Sequence, residues 1–372
     1  CPPVYPRGNS TPPTPRPPSH KPASGRVKAA GDVKYHITSN LTLDATVNPD
    51  FGQVEVDPAT INLSAYETYY DEKRPFFIAG SSAFNFGGMN CNFCSNTSGL
   101  GAFYSRRIGR PPQLHGFVNN AALYADTPDN TSILGAAKIT GRTAGGFTIG
   151  LLDAVTNRET ATYRAGGSGL ERTQEVEPYT NYFVGRVKKD LNAGNTTVGM
   201  VLTSTARQLR DTVLGDRLRN RAEATGIDFQ HLWHQQEYSW MGTTLVSNVG
   251  GSPRAIAATE QSSAHYFQRP DRAVSSDGLF DTKYNKSATS LRGYGFYTRL
   301  AKQNGNWLWE TAQNWRSPGF ETNDLSYLDR ADYKWMNANV VRAWTTPTSY
   351  YRSLFLLAGG QQQFNYDGDR TD

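Results

Sequence analysis

DVKYHITSNLTLDATVNPDFGQVEVDPATINLSAYETYYDEKRPFFIAGSSAF spans Asp32–Phe84, and LGAFYSRRIGR at Leu100–Arg110 closes the same motif-rich stretch. Its first residues alternate with period two. Tyr35, Ile37, Ser39, Leu41 and Leu43 lie on one side, and His36, Thr38, Asn40, Thr42 and Asp44 on the other. That period belongs to a β-strand, not to a helix. Asn48-Pro49-Asp50 ends the strand, because Pro49 lacks a donor and restricts the residue before it. Gln53–Val56 reads as a further short strand, Asp57-Pro58 as a turn, and Ile61–Tyr70 alternates loosely.

Beyond Arg110 the chain reads as successive hairpins. In Ser132–Arg142, Ile133, Gly135, Ala137 and Ile139 oppose Lys138, Thr140 and Arg142, and Thr143–Gly146 turns into Phe147, Ile149 and Leu151. Phe183–Lys189 and Thr196–Thr205 flank Leu191–Asn195, where Gly and Asn suit positive φ. Thr225–Trp233 turns near Gln235-Gln236 into Tyr238–Val246. Tyr294–Leu300 runs into Asn304-Gly305, the favoured pair of a type I′ hairpin, and out through Trp307–Thr311. The last strands are Tyr333–Thr345 and Tyr350–Tyr366. About a dozen strands of roughly bilayer-crossing length result. Short turns alternate with longer polar loops, Asn157–Pro178 and Pro270–Ser287 among them. Paired aromatics near strand ends (Trp233 with Trp240, Trp307 with Trp309, Trp335 with Trp344, Tyr350 with Tyr351) suit interfacial girdles or, in a soluble sheet, cross-strand pairs.

A hydrophobic content of 37% with 12% aromatics fits short twisted strands better than an aliphatic helical core. No run approaches the roughly 20 apolar residues of a membrane helix. A net charge of +5 is too mild to argue for nucleic acid. Residues 1–30 form a Pro-rich basic linker. Nine of the 20 prolines fall within Pro2–Pro22, and such a segment cannot build a core. Residues 31–372 are the β domain, divided into the motif-rich start, 31–113, and the hairpins, 114–372.

Chemistry is sparse. The acids Asp50, Glu55, Asp57, Glu67, Asp71 and Glu72 would suit a glycosidase pair or a calcium site. Lys73, Arg74, Arg106, Arg107 and Arg110 share the stretch, and mixed charge at this density favours a lumen-facing ion-pair network. Alternation through Leu100–Gly109 puts Arg106 and Arg107 on opposite strand faces. Cys91-Asn92-Phe93-Cys94 fits a small disulfide, two free thiols or half a metal site; the disulfide is the plain expectation. No Ser-His-Asp order, phosphate loop or dinucleotide fingerprint stands out, so neither cofactor nor metal is expected.

The string LTLDATVNPDFGQVEVDPATINLSAYETYYDEKRPFFIAG, with FNFGG, NCNFCSN and FYSRRIGRPPQ, resembles a family of uncharacterised bacterial surface proteins. RSPGFETNDLSYLDRADY at Arg316–Tyr333 extends the likeness. The family joins a family-9-like carbohydrate-binding module to a C-terminal region of unknown function regarded as an outer-membrane β-barrel. Tyr69-Tyr70-Asp71 departs from the more Phe-rich run expected before EKRPFF. The resemblance implies an antiparallel up-and-down outer-membrane barrel of a Gram-negative bacterium, truncated before its final strands. Its partners would be the lipid bilayer and, through a module absent from this chain, polysaccharide; no catalytic residue carries over. The alternative is a soluble secreted carbohydrate-active β-protein using carboxylates between Asp50 and Glu72.

Overall fold

In the computed structural model, the described residues are 30–49, 67–91, 94–165, 170–269 and 280–372. Residues 1–29 of the expected linker, the strand at Gln53–Val56, residues 61–66 of the strand expected at Ile61–Tyr70, and Asp50, Glu55 and Asp57 lie outside them; residues 67–70 are described and form no strand. The strands, in chain order, are β1 (Gly31–Thr38), β2 (Leu41–Val47), β3 (Ala122–Asp126), β4 (Ile133–Arg142), β5 (Phe147–Thr156), β6 (Glu159–Ala165), β7 (Glu171–Glu177), β8 (Thr180–Leu191), β9 (Thr196–Arg207), β10 (Arg221–Trp233), β11 (Tyr238–Gly250), β12 (Ser290–Lys302), β13 (Trp307–Arg316), β14 (Tyr333–Trp344) and β15 (Leu354–Phe364). Twelve form one antiparallel sheet in the order β1-β2-β4-β5-β8-β9-β10-β11-β12-β13-β14-β15; β3, β6 and β7 form a second, three-stranded sheet. The chain is therefore all-β and antiparallel, and the large sheet is an up-and-down meander. Among the described residues it does not close: β1 pairs only with β2, and β15 only with β14.

Several local expectations change. The single strand read through Asp32–Asp44 is a hairpin turning at Ser39-Asn40, since Ser and Asn are turn formers that the alternation alone disguises. The 157–178 segment contains the hairpin β6–β7 rather than a plain loop. At Asn304-Gly305 only the glycine has positive φ, whereas a type I′ turn needs it at both residues. Lys302 pairs with Trp309 there, and Gln303 N donates to Glu237 O of the neighbouring turn, which pulls the hairpin off the tight register. The Leu191–Asn195 turn carries positive φ at Asn192, Ala193 and Gly194, and the next turn at His234, Gln235 and Gln236.

The two ends of the sheet differ. At one end the connections are short: 39–40, 143–146, 192–195, 234–237, 303–306 and 345–353. At the other they are long: 48–132, 157–179, 208–220, 251–289 and 317–332. The long connections carry the helices α1 (Pro75–Ile78), α2 (His115–Ala121), α3 (Thr212–Gly215) and α4 (Pro253–Glu260). In α4, Ser252 caps the Ala255 N–H and Pro253 presets the first turn.

The faces of the sheet are inverted relative to a water-soluble protein. On β4, Ala137 points out to the surface while Lys138 and Thr140 are buried. Along one register row, Ile149, Val187, Met200, Ile227, Thr244, Phe296 and Trp315 are successive neighbours on seven strands. Met200 and Ile227 are 53% and 58% exposed, whereas Lys138 and Arg186, on the opposite face, are 2% and 1%. Arg207, Arg299, Glu310, Asn314 and Arg316 are likewise buried on that inner face.

What buries them is the chain between β2 and β4, laid along the inner face from β4 to β13. Lys138 donates to the carbonyls of Phe76 and Ala79; Arg186 donates to Asn85 O; Gly87 N donates to Asp228; Tyr297 donates to Asn90 O; Arg316 donates to Ser98 O. Phe86, Leu100 and Phe320 share one core with Val201, Ala224, Leu245, Tyr297, Ala312 and Trp335. Six consecutive strands, β9 to β14, thus converge on the same few residues, and the sheet curls around them. Leu325, after β13, packs with Ile133 of β4 and Tyr182 of β8, which brings distant strands across one interior.

Wall glycines seat this filling. A Cβ at Gly226 would press on the Thr244 carbonyl oxygen of the neighbouring strand and lie 2.8 Å from Phe86, and one at Gly295 would lie 2.6 Å from Leu100. Gly226→Val should therefore destabilise the fold by about 1–3 kcal/mol through overpacking. Gly360→Ala, with no atom within 4 Å of the added carbon, should change stability by less than about 0.5 kcal/mol. Denaturant midpoints of the two variants in detergent check the contrast; equal midpoints would contradict this packing.

Candidate functional site on the inner face

The motif-rich stretch supplies a first set of ion pairs. Glu72 meets Arg74 through both oxygens, at 2.8 and 2.7 Å, and takes the Ser105 hydroxyl at 2.5 Å. Arg74 also donates to Ile108 O and Ser105 O, tying Pro75–Ile78 to the 105–108 turn. Against burial, which alone would raise it, the hydrogen bond and charge of Arg74 hold the Glu72 carboxyl below its ordinary range. Arg107 is buried and donates to both oxygens of Glu67, at 2.8 and 2.7 Å, and to Ser326 O.

Arg106 donates to the backbone carbonyl of Asp71. Lys73 N donates to Glu72. Arg106 and Arg107 do not sit on opposite faces of a strand, because Ser105–Arg107 is a 3-10 turn. The structure thus joins Glu67 with Arg107 and Glu72 with Arg74. Both acids are committed to arginines, which suits neither for the proton exchange of a glycosidase pair.

Cys91 and Cys94 form a disulfide that packs against the large core. Among the described residues no group of His, Cys, Asp or Glu is placed to hold a metal ion. No described helix is long and apolar enough to cross a membrane, which says nothing about strands.

A second, larger network lies at the long-loop end and was not read from the sequence. Asp324, in the connection after β13, accepts from Arg207 at 2.6 Å and Arg219 at 2.7 Å. Glu321 faces Arg219 at 3.8 Å and His265 at 2.9 Å, and His265 also contacts Pro318 O. All of these side chains but Arg219 are buried almost completely. Although burial opposes it, the charges of Arg219 and Arg207 hold the Asp324 carboxyl far below its ordinary value. The loop containing Asp324 is thereby clamped to the ends of β9 and β10. Arg316 pairs with Asp329, and Arg299 with Glu310, deeper along the same face. The partners of Asp324 are 117 and 105 residues away in sequence, beyond any local pattern. The available signal is the Arg316–Tyr333 string, which carries four acids and two arginines within eighteen residues.

Aromatic placement is mixed. Trp233 stacks on His231 and Tyr238, Tyr238 faces Trp309, and Arg342 lies between Trp307 and Trp344, all beside the short turns. Trp335 does not join them. It is fully buried on the inner face, where Tyr333 and Asn337 flank it two residues away on either side.

Asp324→Asn should cost about 3–5 kcal/mol, since it leaves the buried Arg207 without its counter-charge and removes one of the two carboxylates facing Arg219. The sign with pH follows. A depressed folded value adds stability above the ordinary aspartate value of about 4, and that stability is lost as pH falls toward the folded value. Unfolding midpoints of parent and variant should therefore differ widely at pH 7 and converge in acid. A pH-independent difference would contradict the clamp.

No curated protein and no solved structure matches the chain. A family described as a domain of unknown function, DUF5916, matches residues 16–372. With nearly its whole length matched, a curled twelve-stranded antiparallel sheet and a charge-lined inner face, the chain belongs to this family of unknown function.

Proposed function

We propose that this domain is a non-enzymatic outer-membrane β-barrel of the cell envelope of a Gram-negative bacterium, with its outward face in lipid. One observation carries the reading: the face turned to the surroundings is apolar, and the face turned inward bears the charges. In water that arrangement exposes large apolar area and pays to bury ions, so it is favoured only where the surroundings are hydrocarbon. The six short connections at one end, opposite long ones at the other, agree with the turn asymmetry of such barrels. Trp233, Trp240, Trp307, Trp309 and Trp344 near the short turns suit an interfacial girdle.

Lipid offers no hydrogen-bond partner to an open strand edge. In the membrane form β1 and β15 are therefore paired, either directly or through further strands. The interior is filled rather than open, so passage of a solute requires the 76–104 segment to leave its place on the wall. A role in surface glycan binding or transport, with polysaccharide held by a carbohydrate-binding module joined to this domain, rests on family likeness alone.

The test is membrane extraction and heat modifiability of the full chain. The protein is expected in the carbonate-resistant membrane fraction, with slower mobility after boiling in SDS. Leu202, exposed at the middle of β9, faces outward; Leu202→Arg should cost about 2–4 kcal/mol of folded, inserted protein. Full recovery in the carbonate supernatant, with no mobility shift and no effect of the arginine, would refute the proposal.

A further inference from the structure

Of the fifteen buried side-chain polar atoms without a partner among the described residues, five lie together on the inner face, at the long-loop end of β5, β8 and β9: Thr156 Oγ1, Thr205 Oγ1, Arg207 Nε and Nη2, and Arg110 Nε. The register brings them together. Thr156 pairs with Thr180, Thr180 with Arg207, and Tyr182 with Thr205. Arg110 is held beside this row by Thr131, whose backbone N–H and hydroxyl both donate to Arg110 O, two residues before Ile133 pairs with Thr156.

The nearby carboxylates are engaged elsewhere. Glu177 receives Gln113 N and Nε2, and Asp324 takes Arg207 Nη1 and Arg219 Nε. The Arg110 guanidinium forms no ion pair with a described residue. Burial, with Arg107 and Arg207 repelling and Tyr182 and Glu177 opposing them, lowers its affinity for its own proton. Every orphan atom here is a guanidinium donor or a hydroxyl, and three of the five belong to arginines. An unpaired buried donor costs about 1–3 kcal/mol, so five of them point to a guest rich in acceptors.

We infer that Arg110, Thr156, Thr205 and Arg207, beside Tyr182, form a binding site for one small free tetrahedral oxyanion, of the phosphate or sulfate class. Guanidinium forks match the oxygen spacing of such an ion, and the hydroxyls can donate to its remaining oxygens. Thr156 and Thr205 are 0% and 1% exposed, which limits the guest to a small ion rather than an esterified one. The site is independent of whether the outward face meets lipid.

The experiment is calorimetric titration of the folded full chain with inorganic phosphate and with sulfate, against chloride at equal ionic strength. It is paired with thermal melts over the same concentrations. Saturable heat and a melting temperature that climbs with the oxyanion are expected. Arg110→Gln should weaken binding at least tenfold, and Thr205→Val a few-fold. Arg110 Nε and Thr205 Oγ1 have no partner among the described residues, so both variants should fold with a melting temperature in chloride no lower than the parent's. Absence of saturable heat and of any shift would mean that water alone meets these donors, an adventitious ion only being seen at high salt, and would overturn the site. Binding unchanged in both variants would also overturn it.

Discussion

Lys138, Arg186, Arg207, Arg299, Glu310 and Arg316 all project from the large sheet into its interior, and the structure depends on neutralising them there. A buried charge is tolerated only when paired and hydrogen-bonded. Strand neighbours supply part of this: Asp228 of β10 pairs with Arg186, Glu310 with Arg299, and Asp44 of β2 lies 3.8 Å from Lys138. Two connections at the long-loop end supply the rest: residues 67–118 bring backbone carbonyls to Lys138 and Arg186, and residues 317–332 bring Asp324 to Arg207 and Asp329 to Arg316. Wall and filling are therefore one electrostatic unit. Neither is expected to persist without the other.

This dependence explains the density of the Asp32–Arg110 stretch. Its glycines and aromatics are fitted to specific wall positions, as Phe86 is to Gly226 and Phe84 to Gly150. Its polar residues mostly address the wall through the backbone, which leaves the side chains Arg74 and Arg107 to hold the filling to itself and to Ser326. A segment so tied at both ends of the interior behaves as a plug whose release must break charge-assisted bonds, each stronger than a neutral one.

Much of the strand pattern was legible in the sequence because alternation is local. The β4, β9 and β14 boundaries follow from it to within two residues, and so do the turns at 143–146 and 234–237, whereas β10 to β13 each run four or five residues further at one end than the alternation suggests. What alternation cannot state is which face is buried. In β4 the apolar set Ala137 and Ile139 is the outward one, and only tertiary contacts reveal that. Alternation also misread Ser105–Arg107, where a turn mimics a strand over three residues, and Trp335, whose partners on the plug lie far off in sequence. The Arg207–Asp324–Arg219 clamp was invisible for the same reason: charges on a strand end and two separate connections are unremarkable until the sheet curls.

The proposed membrane placement requires the outward face of the sheet to meet hydrocarbon. The most direct measurement is residue-by-residue accessibility along β9 in reconstituted bilayers, with a spin label placed in turn at positions 198 to 205. Oxygen, which concentrates in lipid, should relax the labels at 198, 200 and 202, while 201, 203 and 205 should be shielded from both oxygen and a water-soluble nickel chelate. That period-two profile is the expected result. Accessibility to the nickel chelate at 198, 200 and 202 would place this face in water and contradict the account.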